Sequence, residues 1–600
     1  MTSEKSGDAT DMSRLGANLV RVEELSQRLV SALSKGGKVR PSLQGPGRDL
    51  FARAAAASMA DMLSDPGKMI EHQTRYWGRA LKHYVEAQSR LAKGQMTPPE
   101  DATGRDRRFR DPRWQEHPYF NYLKQQYLIA AEAIAEAAGD LQGLPEKDRR
   151  RLSYFAGQIV DMFSPANFLG TNPEALARAV ETEGQSLVDG LENLVRDLEA
   201  NDGELLVTLA DRDAFEVGGN LATMPGEVVF RNRLFELIQY APTTGEVREV
   251  PILIFPPWIN KFYILDLTER NSLIRWMAAQ GFTVLVVSWK NPGPDYADVS
   301  LDDYVAEGFL AAIEQARDAT GAPEVNVAGY CIAGTTLALT LALMKRRGLG
   351  GVRSATFLTT LTDFSDQGEV GVFLDDDFLD GIEAETREAG VLSALFMSRT
   401  FSFLRSNDLI YGPAIRSYMM GERPPAFDLL YWNGDATNLP GRMAMQYLRE
   451  LCQANRFAEG GIAVCGETLR LSDVDLPLVA IACETDHIAA WGQSYAGIRK
   501  MGATDRTFVL SESGHIAGIV NPPSKGKYGH YVNGDWSGDA NTWRAAAERR
   551  EGSWWPLWSE WLDLRSGALV PARTPGGGRA TLGPAPGTYV TEAPDPGRNA

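Results

Sequence analysis

The chain has 600 residues, 44% of them hydrophobic, which is ordinary for a globular protein and long enough for two or more domains. Lysine and arginine total 61 against 78 aspartates and glutamates, so the formal net charge of −17 argues against nucleic-acid binding, which needs a basic face. No run approaches the roughly 18 apolar residues of a membrane span, and the polar start MTSEKSGDATDMSR lacks the apolar core of a signal peptide. The four cysteines show no CxxC spacing. We therefore expect a soluble cytoplasmic protein with reduced thiols.

Residues 1–210 predict a mainly helical N-terminal domain. DLFARAAAASMADML and YLIAAEAIAEAAGDL are rich in alanine and leucine with helical spacing. Nothing strand-like stands out in this part of the chain. The glycine and proline of GQMTPPEDATG predict a loop between the helices.

The pattern changes after Gly218, where short β-branched runs begin to alternate with helical stretches such as residues 301–320. Several runs are apolar throughout, as strands buried on both faces of a parallel sheet are. The alternation predicts an α/β fold with helices on both faces of the sheet. The predicted strands are 249–255, 283–289, 324–330, 354–360, 476–483 and 506–513.

More than a hundred residues separate the strand at 354–360 from the strand at 476–483, which is too long for an ordinary crossover. This stretch contains two apolar, helix-like runs, GVLSALFMSRTFSFL and NLPGRMAMQYLRELCQ. We predict a cap or lid at about 365–470, inserted before the last two strands of a catalytic domain that spans 211–565. The proline- and glycine-rich tail, 566–600, predicts an extended surface segment.

The run NVAGYCIAGTTLAL predicts a strand that turns sharply into a helix with Cys331 at the tip. A nucleophile elbow needs small residues two positions before and two positions after the nucleophile. Gly329 and Ala333 satisfy this need, and Gly334 leaves room for helix packing. A helix starting after Cys331 brings its positive end to the sulfur and favours thiolate. The alternative is a structural cysteine in a glycine-containing turn.

The rest of the chain favours the catalytic interpretation of Cys331. Sheets of this kind order their triad as nucleophile, acid and base. Asp486 follows the strand at 476–483, and His515 follows the strand at 506–513, so both fall in that order. His487 is the rival base, but it lies beside Asp486 after the wrong strand. We predict that His515 takes the Cys331 proton and that Asp486 holds the imidazole tautomer.

Two backbone sites are candidates for the oxyanion hole. The N–H of Ile332, directly after the nucleophile, is the expected first donor. A second donor is expected in the loop after the strand PILIF, near residues 257–259. An ordinary loop between a strand and a helix remains the alternative for that stretch.

Eight motifs stand in this order along the chain: FRDPRWQEHPYFNYLKQQYL, SPANFLGTNPEAL, NLATMPGEVVFRNRLFELIQY, PPWINKFYILDL, VAGYCIAGT, YWNGDATNLPG, CETDHIAAW and SGHIAGIVNPP. They resemble those of the polyhydroxyalkanoate synthases, most closely the class I type that acts without a partner subunit. The lipase-like box of that family, the motif around the cysteine, usually has glycine where this chain has Ala333, which is small enough for the turn. The resemblance implies an α/β-hydrolase fold with a large cap insertion, preceded by a mainly helical N-terminal domain.

The same resemblance implies polymerisation of (R)-3-hydroxyacyl-CoA, with (R)-3-hydroxybutyryl-CoA as the expected substrate, through an acyl group carried on Cys331. Asp486 is implied to help activate the attacking hydroxyl, and Trp432 to serve activity or assembly, with a core position as its alternative. Asp435 and Asn438 are expected to form loops. No cofactor or metal is expected, since CoA belongs to substrate and product.

The resemblance also implies a homodimer associated with polyhydroxyalkanoate granules, with attachment, dimerisation or stability as the role of the N-terminal region. Two other functions remain open at this point. One is a cysteine-dependent thioesterase or depolymerase, which uses the same triad with water as acceptor. The other is a granule-surface protein without activity, against which the intact set of Cys331, Asp486 and His515 argues.

Overall fold

The computed structural model describes residues 5–35, 48–64, 66–92, 106–201 and 203–592. The predicted loop GQMTPPEDATG lies outside these residues. The chain forms two compact units. The first consists of the described residues up to Asp211 together with Arg399–Pro425, and the second consists of Arg212–Ser398 with the described residues from Ala426 onward.

The first unit is built from helices, and its described residues include no strand. Leu25 packs against Val188 and Val195 in one of its small apolar clusters. No helix among the described residues is long and apolar enough to span a membrane. The helices of this unit confirm the predicted helical N-terminal region. The helices before Asp211 are α1 (Lys5–Lys35), α2 (Arg48–Ser64), α3 (Pro66–Ala92), α4 (Arg113–Glu116), α5 (Pro118–Gly139), α6 (Glu146–Met162), α7 (Pro173–Glu181) and α8 (Gln185–Ala200).

The segment Arg399–Pro425 belongs to the first unit although it comes from the middle of the predicted insertion. The side-chain amide of Asn193 in α8 donates to the carbonyl oxygens of Ser417 (3.1 Å) and Glu422 (3.0 Å). The Tyr418 hydroxyl donates to Asp197, also in α8, at 2.7 Å. Hydrogen bonds from side chains to main-chain oxygens and to a carboxylate thus tie this segment to α8.

The second unit is organised around one ten-stranded sheet with the order β1-β2-β5-β4-β6-β7-β12-β13-β14-β15, and three small two-stranded sheets. The sixteen strands are β1 (Gly226–Arg231), β2 (Phe235–Tyr240), β3 (Glu246–Arg248), β4 (Ile252–Phe255), β5 (Val284–Trp289), β6 (Val325–Tyr330), β7 (Val352–Leu358), β8 (Val391–Leu392), β9 (Leu439–Pro440), β10 (Ile462–Val464), β11 (Glu467–Leu469), β12 (Leu478–Cys483), β13 (Arg506–Ser511), β14 (His530–Val532), β15 (Glu548–Arg550) and β16 (Leu569–Pro571).

The six predicted strands are all present and form the parallel centre of the sheet as β5, β4, β6, β7, β12 and β13. Every residue of β4, β5, β6 and β12 is buried. Because a parallel strand is covered on both faces, its sequence is apolar throughout and easy to recognise. The strand β6 lies in the middle of the sheet, so the residues that follow it reach the centre of the carboxyl edge.

The antiparallel edges of the sheet were not predicted. The strands β1 and β2 form a hairpin that joins β5, and β14 and β15 continue the sheet beyond β13. The prediction that 506–513 is the final strand is therefore wrong. The strand β2 escaped recognition because Glu236 and Gln239, both fully buried, interrupt its apolar pattern.

Helices cover the sheet of the second unit, and the predicted helix 301–320 is confirmed as α10 and α11 joined by a π-helical stretch, Tyr304–Leu310. The two apolar runs of the insertion contain α14 and α17, as predicted. The helices after Asp211 are α9 (Leu273–Ala279), α10 (Leu301–Asp303), α11 (Ala311–Thr320), α12 (Ile332–Arg347), α13 (Asp376–Ala389), α14 (Ala394–Leu404), α15 (Gly412–Ala414), α16 (Asp428–Gly434), α17 (Gly441–Gln446), α18 (Trp491–Lys500), α19 (Ala540–Ala545) and α20 (Trp555–Asp563). Of these, α15 and the end of α14 lie in the first unit.

The tail is held more firmly than its proline- and glycine-rich composition suggested. It contributes β16, which pairs with β3 in an antiparallel ladder. Further on, Tyr589 and Val590 are buried. Most other residues of the described tail are exposed or half-buried, so the tail runs along the surface of the second unit and is fixed to it at these points.

Candidate active site

Cys331 occupies a sharp turn between β6, which ends at Tyr330, and α12, which begins at Ile332. Its backbone has φ 55° and ψ −124°, a left-handed conformation that is rare for residues other than glycine. The Cys331 N–H donates to the carbonyl of Leu358 at the end of β7, at 2.8 Å. The thiol is half-buried. The turn has the geometry of a strained nucleophile elbow.

Close packing at the elbow depends on Gly329 and Gly334. A Cβ added to Gly329 would lie 2.6 Å from the Cα of Gly334, and a Cβ on Gly334 would overlap the Thr360 side chain. Ala333, by contrast, is accommodated fully buried. Positions 329 and 334 therefore have no room for a side chain, whereas position 333 has room for the methyl group of alanine.

His515 and Asp486 lie in contact after β13 and β12. The His515 Nδ1 donates to the Asp486 Oδ2 at 2.6 Å, and both residues are buried. The other carboxylate oxygen accepts backbone N–H groups from Ile488 (2.8 Å) and Ala489 (2.9 Å). An acid bound in this way fixes the tautomer of the imidazole and leaves Nε2 for a partner.

Cys331 acts on the same imidazole. Burial acts to lower the pKa of His515, but its interactions with Asp486 and Cys331 raise that pKa well above its usual value. His515 is thus paired directly with Asp486, and Cys331 lies close enough to influence the charge of the imidazole. The role of Cys331 as the third member of the set stays a prediction.

Aromatic side chains support the loop that carries His515. The Tyr330 ring stacks on the imidazole, with centroids 5.8 Å apart, and its hydroxyl donates to the His515 carbonyl at 3.2 Å. The indole N–H groups of Trp554 and Trp555 donate to the carbonyls of Gly518 (2.8 Å) and Ile519 (2.9 Å). The loop is thus tied down at the histidine and just after it.

The rival base His487, and a further histidine, His530, also lie in the second unit. His487 is half-buried on the loop of Asp486. His530 belongs to β14, where its Nδ1 donates to the carbonyl of Gly552 at 2.9 Å. The imidazole of His515 hydrogen-bonds the Asp486 side chain, as the predicted order of the triad requires.

Ile332 is the first residue of α12, so its N–H belongs to the helix terminus that has no acceptor within the helix. The other predicted donor region, 257–259, lies in the loop after β4. The Thr437 N–H donates to the Ile259 carbonyl at 3.1 Å, and the Thr437 hydroxyl donates to the Trp258 carbonyl at 2.9 Å. Because these carbonyls are bonded to a neighbouring segment, the path of the loop is fixed.

Trp432 lies in the core of the second unit, 4% exposed. Its indole N–H donates to the main-chain carbonyl of Lys261 at 2.7 Å. Asp435, three residues on, accepts from the Tyr263 hydroxyl at 2.9 Å. Asn438 accepts from the N–H of Ala394 at 2.8 Å, as a loop-forming residue does. The motif 432–438 thus packs against the segment that follows β4 and forms hydrogen bonds with it.

Two residues near the elbow were missed by sequence reasoning. The Tyr447 hydroxyl, from the insertion, donates to the Thr335 hydroxyl in α12 at 3.0 Å, and Thr335 donates onward to the Leu361 carbonyl at 2.6 Å. Burial raises the pKa of Tyr447 well above its usual value. The only signal for this contact was that Tyr447 lies in an apolar run.

Comparison with known proteins agrees with this geometry. Residues 105–277 match the model of the poly-beta-hydroxybutyrate polymerase (PhaC) N-terminus, and residues 251–522 match that of the alpha/beta hydrolase fold. The poly(3-hydroxyalkanoate) polymerase of Methylorubrum extorquens is 40% identical and aligns over 97% of this chain and 98% of its own length.

Two further relatives carry the name poly(3-hydroxyalkanoate) polymerase subunit PhaC. That of Rhizobium meliloti (strain 1021) is 37% identical over 97% of this chain and 95% of its own. That of Cupriavidus necator is 39% identical over 91% of this chain and 90% of its own. All three alignments extend over nearly the whole of both chains.

The parallel sheet, the elbow after a central strand and the family-model match define the second unit as an α/β-hydrolase fold, as predicted. Within that large class, near-full-length identity of 37–40% is decisive. The chain belongs to the poly(3-hydroxyalkanoate) polymerase family.

Proposed function

We propose that this protein polymerises (R)-3-hydroxyacyl groups, most simply 3-hydroxybutyryl, from their CoA thioesters and releases CoA. The observation that carries the proposal is the elbow conformation of Cys331 together with the 2.6 Å contact between His515 and Asp486. The family to which the chain belongs supports the choice of substrate.

The chemistry follows from the geometry. His515 accepts the thiol proton of Cys331, and the sulfur attacks the thioester carbonyl. The N–H of Ile332, with a donor of the loop 257–259, stabilises the oxyanion. The C–S bond to CoA then breaks, and His515 returns its proton to the departing CoA sulfur. The product is an acyl group on Cys331 and free CoA.

Chain growth uses the same groups. The 3-hydroxyl of one hydroxyacyl unit attacks the carbonyl of an acyl thioester, His515 accepts the hydroxyl proton with the help of Asp486, and the leaving sulfur takes it up. One thioester is exchanged for another during loading, which costs little free energy, whereas ester formation is downhill. A cysteine therefore keeps the driving force for the elongation step, which a serine ester would lose on loading.

We also propose that the enzyme acts in the cytoplasm as a homodimer at the surface of the polymer granule. Exposed apolar side chains at helical spacing on α3, namely Ile70, Trp77 and Leu81, support an association of the first unit with an apolar surface. Co-sedimentation with isolated granules and the molar mass in solution test the two parts separately.

The test of the activity is a purified enzyme mixed with (R)-3-hydroxybutyryl-CoA, with free CoA and turbidity followed together. We expect CoA release with a parallel rise in turbidity from polymer. Release of CoA with only monomeric acid as product indicates a thioesterase instead. A protein that releases no CoA is the inactive granule-surface protein that the sequence left open.

A further inference from the structure

The tail of the chain follows the edge of the central sheet. The Leu582 N–H donates to the Val228 carbonyl, and the Val228 N–H donates to the Gly583 carbonyl, both at 2.8 Å. The Ala585 N–H continues this pattern with the Gly226 carbonyl at 2.8 Å. Main-chain hydrogen bonds thus attach the tail to β1, which is an edge strand.

The next residues of the tail bind a buried carboxylate. Glu236 in β2 is fully buried and accepts from the N–H groups of Thr588 (2.9 Å) and Tyr589 (3.0 Å) and from the Thr588 hydroxyl (2.9 Å). Arg231 also donates to this carboxylate. A carboxylate without such partners is costly to bury, so Glu236 and residues 588–589 depend on each other.

The described tail then reaches Lys261, which lies in the loop after β4. The Lys261 Nζ, from a residue only 3% exposed, donates to the main-chain carbonyls of Val590 (2.8 Å) and Glu592 (2.9 Å). The main-chain carbonyl of the same lysine accepts from Trp432. Lys261 is therefore bound at both ends, by segments far from it in sequence.

We propose that Lys261 is a positioning residue for the oxyanion loop, held in place by a strap formed from residues 582–592. Lys261 lies two residues after Ile259, in the loop whose N–H groups are assigned to the oxyanion. Without the two tail carbonyls the buried ammonium would have to reach water, and the loop would move with it. The inference rests on the proposed acyl-transfer function.

The test compares Lys261→Met with Lys345→Met in the full chain. Lys345 lies in the last turn of α12, where its exposed side chain pairs with Asp475, so it is a matched control for charge removal. Loss of a whole oxyanion donor lowers kcat by about 10²–10³-fold. For the misplaced loop of Lys261→Met we expect the rate of Cys331 acylation to fall by about 10–100-fold, with KM changed by less than about twofold. Lys345→Met keeps the wild-type rate.

A second readout separates positioning from a general structural role. 3-Hydroxybutanal adds to the Cys331 thiol, forming a C–S bond while the thiol proton moves to the carbonyl oxygen, and that oxygen occupies the oxyanion hole. The thioether 3-hydroxybutyl-CoA has no carbonyl group, so it binds without reaction. In Lys261→Met we expect aldehyde affinity to fall in step with the acylation rate and thioether affinity to stay unchanged. Lys261→Gln keeps a donating nitrogen without the charge, so its aldehyde affinity should fall between those of the wild type and Lys261→Met.

A variant with two glycines inserted after Tyr589 displaces both carbonyls and leaves Lys261 intact. It should reproduce the Lys261→Met kinetics while staying folded, because a strap positions the loop without forming the core. Wild-type acylation in either variant, equal losses of aldehyde and thioether affinity, or failure of the insertion variant to fold would overturn the proposal. Failure of the proposed function would show separately, as wild-type protein that forms no polymer.

Discussion

The elbow follows β6 and the oxyanion loop follows β4, and these two strands are neighbours in the sheet. The two segments are nevertheless held in place by different means. The elbow depends on close contacts between Gly329, Gly334 and Thr360. These residues come from β6, from α12 and from just after β7, which are consecutive along the chain. The loop after β4 depends on the motif 432–437 and on the tail, whose carbonyls lie 329 and 331 residues from Lys261. Local chain geometry shapes the turn of the proposed nucleophile, whereas distant segments shape the loop that we propose to stabilise the oxyanion.

The largest effect is expected from removing the base, because the elbow and the oxyanion loop both serve the reaction that it starts. His515→Gln removes the base, so we expect acylation of Cys331 to fall by about 10⁴-fold. Asp486→Asn should mainly slow elongation and leave acylation measurable, because Asp486 assists the attacking hydroxyl. Rapid-quench measurement of CoA release in the first turnover separates the two steps. Equal loss of acylation in both variants would count against separate roles.

The next prediction concerns the elbow alone. Gly334→Ala places a Cβ against Thr360, which should cost about 1–3 kcal/mol of stability and, through a displaced nucleophile, about 10²-fold in rate. Ala333→Gly is the matched control. Because the native alanine already fits, it should cost only about 1 kcal/mol as helix propensity. Urea unfolding and initial rates give both quantities, and a well-tolerated alanine at 334 contradicts the packing argument.

The elbow is also the region that the sequence described best. The parallel strands were recognisable because each is apolar along its whole length, and Cys331, Asp486 and His515 follow three of them in the order such sheets require. The antiparallel strand β2 was not recognisable, because polar residues such as Glu236 and Gln239 are typical of exposed positions. In the structure both are buried and accept hydrogen bonds from the tail, within residues 574–589. Pairings across hundreds of residues leave no local pattern.

A smaller effect is expected on the loop side. Trp432→Phe keeps an aromatic side chain, although a smaller one, and removes the indole hydrogen bond to the Lys261 carbonyl. An unsatisfied buried carbonyl costs about 1–3 kcal/mol, and we expect a roughly tenfold lower acylation rate, equivalent to about 1.4 kcal/mol. Thermal unfolding and first-turnover kinetics measure the two losses. Activity at the wild-type level would limit Trp432 to a core role.

The smallest effect tests whether side chains of the tail matter as much as its main chain. Lys290 pairs with the Glu592 carboxylate at 2.8 Å, and both side chains are partly exposed. Such pairs contribute roughly 0–1 kcal/mol. Lys290→Met should therefore change stability by less than about 1 kcal/mol and leave the acylation rate unaltered. A loss as large as that of Lys261→Met would shift the role of the strap from its carbonyls to this ion pair.

The central claim is that Cys331 carries the growing acyl group, and intact-protein mass spectrometry after brief mixing with (R)-3-hydroxybutyryl-CoA tests it most directly. The account predicts a mass increase of one 3-hydroxybutyryl group, located by digestion on the peptide that contains Cys331, and absent from Cys331→Ala with its fold intact. Polymer formation by Cys331→Ala, or acylation of Cys452, Cys465 or Cys483 instead, would contradict it.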